Sequence, residues 1–285
     1  MEIFDSIAEL RHYLDSKRHK GLTIGLVPTM GALHNGHAEL IKRSVEACDI
    51  TLCSIFVNPT QFNNPEDLLK YPKQVERDQE LLLSIGCNAV FTPSVREMYP
   101  DEEKTLDMNF GALESVLEGA FRPGHFSGVS VVVSKLLNIA QPDMAFFGQK
   151  DLQQLAVIRK LVNDLNIRTR VISVPTVREN SGLAMSSRNQ RLANEEVLLA
   201  SSFYRVLKSS KERALKGESI ESVLNSARLE LERKGGIELE YVEVVNSNTM
   251  ARIKSLEDAN NISICIAAYI GGVRLIDNLY IKQEH

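Results

Sequence analysis

From residue 28 to residue 37 the chain runs Pro28-Thr29-Met30-Gly31-Ala32-Leu33-His34-Asn35-Gly36-His37. This stretch follows an apolar strand pattern, Leu22–Val27, and leads into a helical pattern that starts near Gly36. A helix N-terminus offers unpaired backbone N–H groups and a partial positive charge, both of which attract phosphate. The stretch has neither a Lys-Ser/Thr pair nor a glycine triplet, which excludes a Walker loop and a dinucleotide-binding turn. We therefore predict a His-x-Gly-His nucleotide site, in which His34 and His37 donate hydrogen bonds to a polyphosphate.

Strand patterns alternate with helix-length segments through the first two thirds of the chain. Parallel strands need such crossovers, and right-handed crossovers build a doubly wound, Rossmann-like parallel sheet of the α/β class. Ligands bind such sheets beyond the carboxyl ends of the strands, so the loops that follow the strands should meet at one crevice. The predicted strands are Leu22–Val27, Ile50–Val57, Ala89–Thr92, Met144–Phe147 and Arg170–Val174, and the predicted helices are Glu39–Cys48, Val75–Ile85, Val129–Ile139 and Leu152–Leu165.

The pattern changes in the last third of the chain. Two helical stretches, 195–214 and 220–232, precede three strand patterns, and Gly271-Gly272 joins the last two strands in the manner of a hairpin. We predict a second, smaller α+β domain that acts as a lid. The predicted division is 1–180 for the Rossmann-like domain and 181–285 for the C-terminal domain, whose strands are Leu239–Val245, Ile262–Ile270 and Val273–Ile281.

The bulk composition is typical of a globular protein and bounds the partners. The chain has 285 residues, of which 44% are hydrophobic and 25% charged, and its net charge is −4. A net negative charge does not favour binding to nucleic acid or to an anionic membrane, so we expect neither as a partner. The four cysteines form no Cys-x-x-Cys pair, and we expect free thiols and a cytoplasmic location. The N-terminus carries early acidic residues and no signal-peptide pattern.

Three further loops carry polar or cationic residues suited to the same crevice. Asn58-Pro59-Thr60-Gln61-Phe62 follows one buried strand, and Gly148-Gln149-Lys150-Asp151 follows another. Ala184-Met185-Ser186-Ser187-Arg188-Asn189 lies at the predicted domain junction and places two hydroxyls beside a guanidinium. Arginine offers a fork of donors to phosphate oxygens. Each loop alone is equally compatible with an ordinary turn, and only their combination favours a nucleotide site.

Together these strings resemble the pantoate–β-alanine ligase (pantothenate synthetase) family of the His-x-Gly-His nucleotidyltransferase superfamily. The resemblance also includes Tyr71-Pro72 and Arg122-Pro123-Gly124-His125-Phe126-Ser127-Gly128-Val129, and it runs along most of the chain. One departure is Gln149, where many members carry glutamate. The resemblance implies ATP-dependent condensation of pantoate with β-alanine through a pantoyl adenylate, with release of AMP and pyrophosphate. It also implies a homodimer, and an ATP and pantoate site in the Rossmann-like domain.

Carried over residue by residue, the resemblance implies a nucleotide site with four catalytic side chains. The catalytic set is His34, His37, Lys150 and Arg188, with His37 as the proton donor or as a charge-stabilising imidazole. The implied ATP-binding residues are Met30, Gly31, Ala32, Leu33, His34, Asn35, Gly36, His37, Gly148, Gln149, Lys150, Asp151, Val177, Met185, Ser186, Ser187 and Arg188.

The resemblance also implies how the two other substrates and the cofactor bind. Gln61 and Gln154 would hold pantoate, and Gln61 would also contact β-alanine. Magnesium would be held chiefly by ATP oxygens, as its preference for phosphate and water suggests. Asp78 is a candidate carboxylate ligand, although its position in a helical pattern is equally consistent with a solvated face. Arg122 and His125 would line the substrate entrance.

Three alternatives stay open from the sequence. A nucleotidylyltransferase would share the His-x-Gly-His turn but would keep the nucleotide in its product. An aminoacyl-tRNA synthetase is disfavoured because the acidic chain has no evident basic RNA-binding module. A non-catalytic nucleotide-binding protein is disfavoured by the presence of His34, His37, Lys150 and Arg188 together.

Overall fold

Two sheets organise the computed structural model, which describes residues 1–63, 65–100 and 106–284. The larger sheet has six parallel strands, and the smaller has three antiparallel strands. The α/β class with a small C-terminal antiparallel sheet is thereby confirmed. The strands are β1 Glu2–Phe4, β2 Ile24–Thr29, β3 Ile50–Ile55, β4 Ala89–Phe91, β5 Met144–Gly148, β6 Arg170–Val174, β7 Glu238–Asn246, β8 Ile262–Ile270 and β9 Val273–Lys282.

Helices cross between the parallel strands, as the alternation of patterns predicts. Serine side chains cap several N-termini, where their oxygens accept orphan backbone N–H groups. No helix within the described residues is long and apolar enough to cross a membrane. The helices are α1 Ile7–Arg18, α2 Asn35–Ala47, α3 Pro65–Leu69, α4 Val75–Ser84, α5 Val95–Met98, α6 Leu117–Phe121, α7 His125–Ala140, α8 Leu152–Asp164, α9 Asn194–Ala200, α10 Ser202–Leu215 and α11 Ile220–Glu232.

The strand order of the large sheet determines where the ligand-binding crevice lies. The order is β1-β4-β3-β2-β5-β6, so the chain moves outward from β2 in one direction and returns to start again at β5. This reversal between β2 and β5 is a topological switch point, where ligands bind beyond the carboxyl ends of the strands. The turn that holds the two histidines follows β2, and the turn that holds Lys150 follows β5. The two turns are therefore neighbours at the crevice.

The sequence patterns did not predict the first strand, β1, or the first helix, α1. β1 has three residues, too few to show an alternating pattern, and it adds to the sheet edge by pairing with β4. α1 buries only Leu10 and Leu14, so its apolar stripe is narrow. The helix predicted over 195–214 is instead two helices, α9 and α10. They meet at Ser201, whose hydroxyl and backbone N–H both donate to the backbone carbonyl of Val197.

The small sheet is fixed to the large one by buried polar contacts. Arg178, after β6, forms a bidentate ion pair with Asp277 of β9, with N–O distances of 2.7 and 2.9 Å. The Nδ2 of Asn278 donates to the backbone carbonyls of Gln149 and Lys150 at 3.0 and 2.8 Å. Apolar residues of β7, β8 and their connection extend the core of the large sheet. The small sheet therefore buttresses the turn that carries Lys150.

Helix α7 lies directly against the turn that follows β3. A Cβ built on Gly128 would lie 2.3 Å from the backbone oxygen of Thr60, closer than any real contact allows. The side-chain amide of Asn58 donates to the Gly128 carbonyl at 3.2 Å. The absence of a side chain at Gly128 thus sets the distance between α7 and the Gln61 turn.

We predict that Gly128→Ala lowers the free energy of unfolding by about 1–3 kcal/mol, the usual cost of overpacking, although alanine favours a helix by about 1 kcal/mol. Asn138→Ala is the control, because Asn138 is exposed on the same helix and its side-chain amide donates to the carbonyl of Ser134 in that helix. Urea denaturation of both variants measures the difference. A Gly128→Ala variant as stable as the control would contradict the close packing.

Candidate active site

One cavity at the carboxyl ends of the parallel strands collects most of the predicted site; we call it the central cavity. Its walls include both imidazoles, the Lys150 amine and the Arg188 guanidinium, which come from three separate loops. Helix α7 forms an apolar wall with Val129. The predicted site residues that line it are Met30, His34, Gly36, His37, Gln61, Gly148, Lys150, Asp151, Gln154, Val177, Met185, Ser186, Ser187 and Arg188.

The other predicted nucleotide residues lie behind the cavity wall or face solvent. Gly31, Ala32 and Leu33 are buried, and Asn35 is exposed. The amide of Gln149 is buried and donates to the Oδ1 of Asn278, at an N–O distance of 3.3 Å. This amide contacts β9 and does not line the cavity. The exchange of glutamate for glutamine at this position therefore changes a group outside the cavity.

Asp78 is buried beside the turn that precedes the two histidines, and not on a solvated helix face. Its carboxylate is 1% exposed and accepts the backbone N–H groups of Ala32 and Leu33, at 2.8 and 2.7 Å. Burial raises the pKa of this carboxyl, and the two backbone hydrogen bonds oppose that shift. Within residues 1–63, 65–100 and 106–284, no group of three His, Cys, Asp or Glu side chains is arranged for a metal. Asp78 therefore anchors the turn, and its role as a magnesium ligand stays a prediction.

The turn that Asp78 holds is conformationally costly. Gly31 and Ala32 both have positive φ, at 79° and 50°. Alanine in the left-handed region costs roughly 1–2 kcal/mol, and the two hydrogen bonds to a buried carboxylate offset that cost. The result is a fixed turn immediately before the histidines.

The two histidines cap helix α2 through their Nδ1 atoms. His34 is the N-cap, and its Nδ1 accepts the backbone N–H of Gly36 at 3.1 Å. The Nδ1 of His37 accepts the backbone N–H of His34 at 3.3 Å. A Cβ on Gly36 would lie 2.8 Å from the His34 ring, so a side chain here would displace the imidazole. Since both Nδ1 atoms accept, each neutral ring carries its proton on Nε2.

Both imidazoles are held in the neutral form. Burial lowers the pKa of His34 to about 4, with a further lowering by the positive charge of Lys150. Burial also lowers the pKa of His37 well below its usual value, as do the neighbouring His34 and Lys150. The geometry thus makes each ring an Nε2–H hydrogen-bond donor at neutral pH. A proton-donor role for His37 would require an anion to raise its pKa.

The two cations differ in how they are neutralised. The side chain of Lys150 is 18% exposed, and its Nζ lies 3.5 Å from a carboxylate oxygen of Asp151. Arg188 donates to Asp67 of α3 at 2.9 Å, and Arg191 shares the same carboxylate at 3.0 Å. Lys150 is therefore the more weakly paired cation, and Arg188 bridges the junction segment to α3.

Several further residues line the central cavity but lie far away in the sequence. Arg122 and His125 do line it, where the sequence suggested only an entrance. Tyr241, Asp277 and Asn278 come from the small sheet and had no local signal, because their strands show only an alternating apolar pattern. Only the docking of the two sheets brings them to the cavity.

Comparison with known proteins decides the family. A family model described as pantoate-beta-alanine ligase matches residues 2–280. The chain belongs to this family. A pantothenate synthetase of Cytophaga hutchinsonii is 47% identical over 278 residues, which cover 97% of this chain and 98% of the relative. One from Porphyromonas gingivalis is 46% identical over 280 residues, covering 98% of this chain and 99% of the relative.

Solved members of the ligase family share the whole architecture. A crystal structure of pantothenate synthetase from Thermus thermophilus superposes with a TM-score of 0.93 at 38% identity, covering 99% of this chain and 100% of that one. A pantoate-beta-alanine ligase from Francisella tularensis, complexed with beta-gamma ATP and beta-alanine, gives a TM-score of 0.82 at 38% identity, with 99% and 98% coverage. The likeness therefore includes both sheets.

The histidine geometry makes a prediction about protons. At pH 7, ring ¹⁵N spectra should show the Nε2–H tautomer for His34 and His37, and His34 should titrate near pH 4. Because the pKa of unfolded histidine is about 6.5, the unfolded chain takes up more protons below that pH. The stability that His34 contributes is therefore full above about pH 6.5 and is lost as pH falls toward about 4. An Nδ1–H tautomer, or a His34 midpoint near the ordinary histidine value, would contradict the capping geometry.

Proposed function

We infer that this chain catalyses the ATP-dependent condensation of pantoate with β-alanine to pantothenate, through a pantoyl adenylate. Family membership over residues 2–280 is one support. The observation that carries the chemistry is the convergence of two imidazoles, Lys150 and Arg188 on the central cavity. These donors suit a triphosphate, and apolar and amide groups beside them suit two small polar substrates.

In the first step, a carboxylate oxygen of pantoate attacks the α-phosphorus of ATP. An O–P bond forms, the bond from the α-phosphorus to the bridging oxygen breaks, and pyrophosphate leaves with the electron pair. The developing charge lies on the pyrophosphate, so the protein needs fixed donors rather than a covalent nucleophile. We assign this role to the Nε2–H groups of His34 and His37 and to Lys150, with Arg188 exchanging its contact with Asp67 for phosphate.

In the second step, the amine of β-alanine attacks the acyl carbon of the adenylate. A C–N bond forms, AMP leaves with the electrons of the C–O bond, and the ammonium loses a proton. We assign pantoate to Gln61 and Gln154 and the amine to Gln61, since both side chains line the central cavity beside α7. The amide of Asn58 donates to the Oε1 of Gln61 at 3.1 Å, which fixes the orientation of the Gln61 side chain.

Magnesium, in this proposal, enters with ATP. Mg²⁺ prefers phosphate oxygens and water and is often bound by few protein carboxylates. The carboxylate of Asp78 is used by backbone N–H groups, which supports a metal held by the substrate. When bound, the ion would neutralise phosphate charge beside Lys150.

The proposal extends to organisation and location. We propose the division 1–180 and 181–285, in which residues 181–285 support the site, while Met185–Arg188 and α3 provide the closing part of the lid. The buried contacts of Asn278 with the Lys150 turn argue against motion of the whole small sheet. We also propose a homodimer, on the family resemblance, and a cytoplasmic location, to which the four free cysteines are suited.

Pyrophosphate exchange tests the first step and the role of Lys150. With pantoate but no β-alanine, labelled pyrophosphate should enter ATP. Lys150→Ala should slow this exchange by about a hundred- to a thousandfold, the loss typical of one transition-state donor. Lys160→Ala is the control, because Lys160 is exposed on α8 and pairs with Asp164. A Lys150→Ala change below threefold would remove Lys150 from the site, and ligation without exchange would reject the adenylate.

Calorimetric ATP titration tests Asp78 as the anchor of the turn. Asparagine keeps the volume but presents an NH₂ group to one of the two N–H donors, so Asp78→Asn should weaken ATP binding about 10- to 100-fold, since an unmet buried donor costs about 1–3 kcal/mol. The weakening should be equal with magnesium and with EDTA. Asp164→Asn on α8 is the control. A loss seen only with magnesium would instead make Asp78 a metal ligand.

A further inference from the structure

Arg122 is a cation on the central cavity to which the proposed phosphate contacts assign no role. It lies between α6 and α7, and its side chain is 21% exposed. It lines the central cavity and also the adjoining opening formed with Arg191 and Arg274. Burying a guanidinium lowers stability unless an anion neutralises its charge. The contacts of Arg122 therefore show whether it already has such a partner.

The carboxylate that pairs with Arg122 already accepts three shorter hydrogen bonds from other residues. Glu118 of α6 accepts two hydrogen bonds from Arg274 of β9, both at 2.7 Å, and one from the hydroxyl of Tyr241 at 2.7 Å. The Nη1 of Arg122 lies 3.8 Å from Glu118, beyond hydrogen-bond distance. Glu118 therefore fixes the position of Arg122 by attraction but leaves its donor fork open to another anion.

The remaining contact of Arg122 ties it to the Gln61 turn. The Nδ1 of His125 donates to the backbone carbonyl of Gln61 at 2.9 Å, so the His125 Nε2 is free to accept from Arg122 at 3.1 Å. Burial lowers the pKa of His125 to about 4, which agrees with this neutral tautomer. Within the part of the chain that the structure describes, this is the only hydrogen bond that the Arg122 guanidinium donates.

The helix that follows reinforces the positive potential at this position. α7 is a 16-residue helix whose N-cap is Gly124, which provides no side-chain cap. The N-terminus of α7 carries a partial positive charge and lies beside Arg122, while its next turns form the cavity wall. An anion bound to the Arg122 guanidinium would therefore also be attracted by the partial positive charge at the N-terminus of α7.

We propose that Arg122 binds the carboxylate of β-alanine and selects an amino acid over a plain amine in the second step. The inference rests on the proposed function. Pantoate loses its carboxylate charge when the adenylate forms, and the ATP phosphates are served by His34, His37, Lys150 and Arg188. The carboxylate of β-alanine keeps its charge throughout, so it needs a permanent partner. The link through His125 to Gln61 places that partner beside the residue assigned to the amine.

The test compares β-alanine with β-alaninamide, which keeps the amine but lacks the negative charge. We expect the wild-type protein to prefer β-alanine by about 100-fold in kcat/KM, in line with the loss of a close buried charge pair. In Arg122→Gln the preference should fall below about 5-fold, mainly through a higher KM for β-alanine, while pantoate-dependent pyrophosphate exchange stays within about 3-fold. Arg96→Gln makes the same charge change at an exposed position of α5 and should keep the preference.

The outcomes separate this inference from the function on which it rests. If the wild-type protein preferred β-alanine over β-alaninamide by less than about 3-fold, the inference would be overturned. This outcome needs no variant, so it can be read even if Arg122→Gln fails to fold. A variant that keeps the wild-type preference, or that loses exchange as much as ligation, would also overturn it and make Arg122 structural or phosphate-binding. Absence of pantoate-dependent exchange in the wild-type protein would overturn the proposed function itself.

Discussion

The two hydrogen bonds from the Ala32 and Leu33 amides to the buried carboxylate of Asp78 hold the active site together. They stabilise a turn with two positive φ angles, and this turn sets where helix α2 begins. The helix start in turn orients both imidazoles, since each ring accepts a backbone N–H through Nδ1. Without the anchor, the two Nε2–H donors would lose their fixed orientation, and with it the electrostatic field that we assign to adenylation.

The topology of the sheet then supplies the other half of the site. Because β2 and β5 are neighbours at the switch point, the histidine turn and the Lys150 turn share one crevice although more than a hundred residues separate them. The small sheet completes it by holding the Lys150 turn from behind through Asn278. A second buried network, around Glu118 and Arg274, joins helix α6 to the small sheet on the Arg122 side.

Local patterns predicted most of the strands and helices that border the cavity, because buried strands and amphipathic helices have distinct periods. They did not predict the five-residue helix α6, whose Leu117 and Glu118 line the cavity. They could not predict β1, which is stabilised only by pairing with β4. The motifs located His34, Lys150 and Arg188, but no motif shows which carboxylate a guanidinium contacts. The role of Asp78 and the contact of Arg188 with Asp67 both depend on tertiary packing. The sequence therefore predicts which side chains are chemically suited to bind a ligand. The fold determines which of them are already paired with other residues.

The site of attack on ATP tests the account most directly, since we assign the donors to a pyrophosphate leaving group. Pantoate labelled with ¹⁸O in its carboxylate can be converted with ATP and β-alanine, and the masses of the products measured by mass spectrometry. The account predicts that one ¹⁸O atom passes into AMP and none into pyrophosphate, because a carboxylate oxygen bonds to the α-phosphorus and stays there when the amide forms. AMP without the label, or ¹⁸O in pyrophosphate or free phosphate, would contradict it.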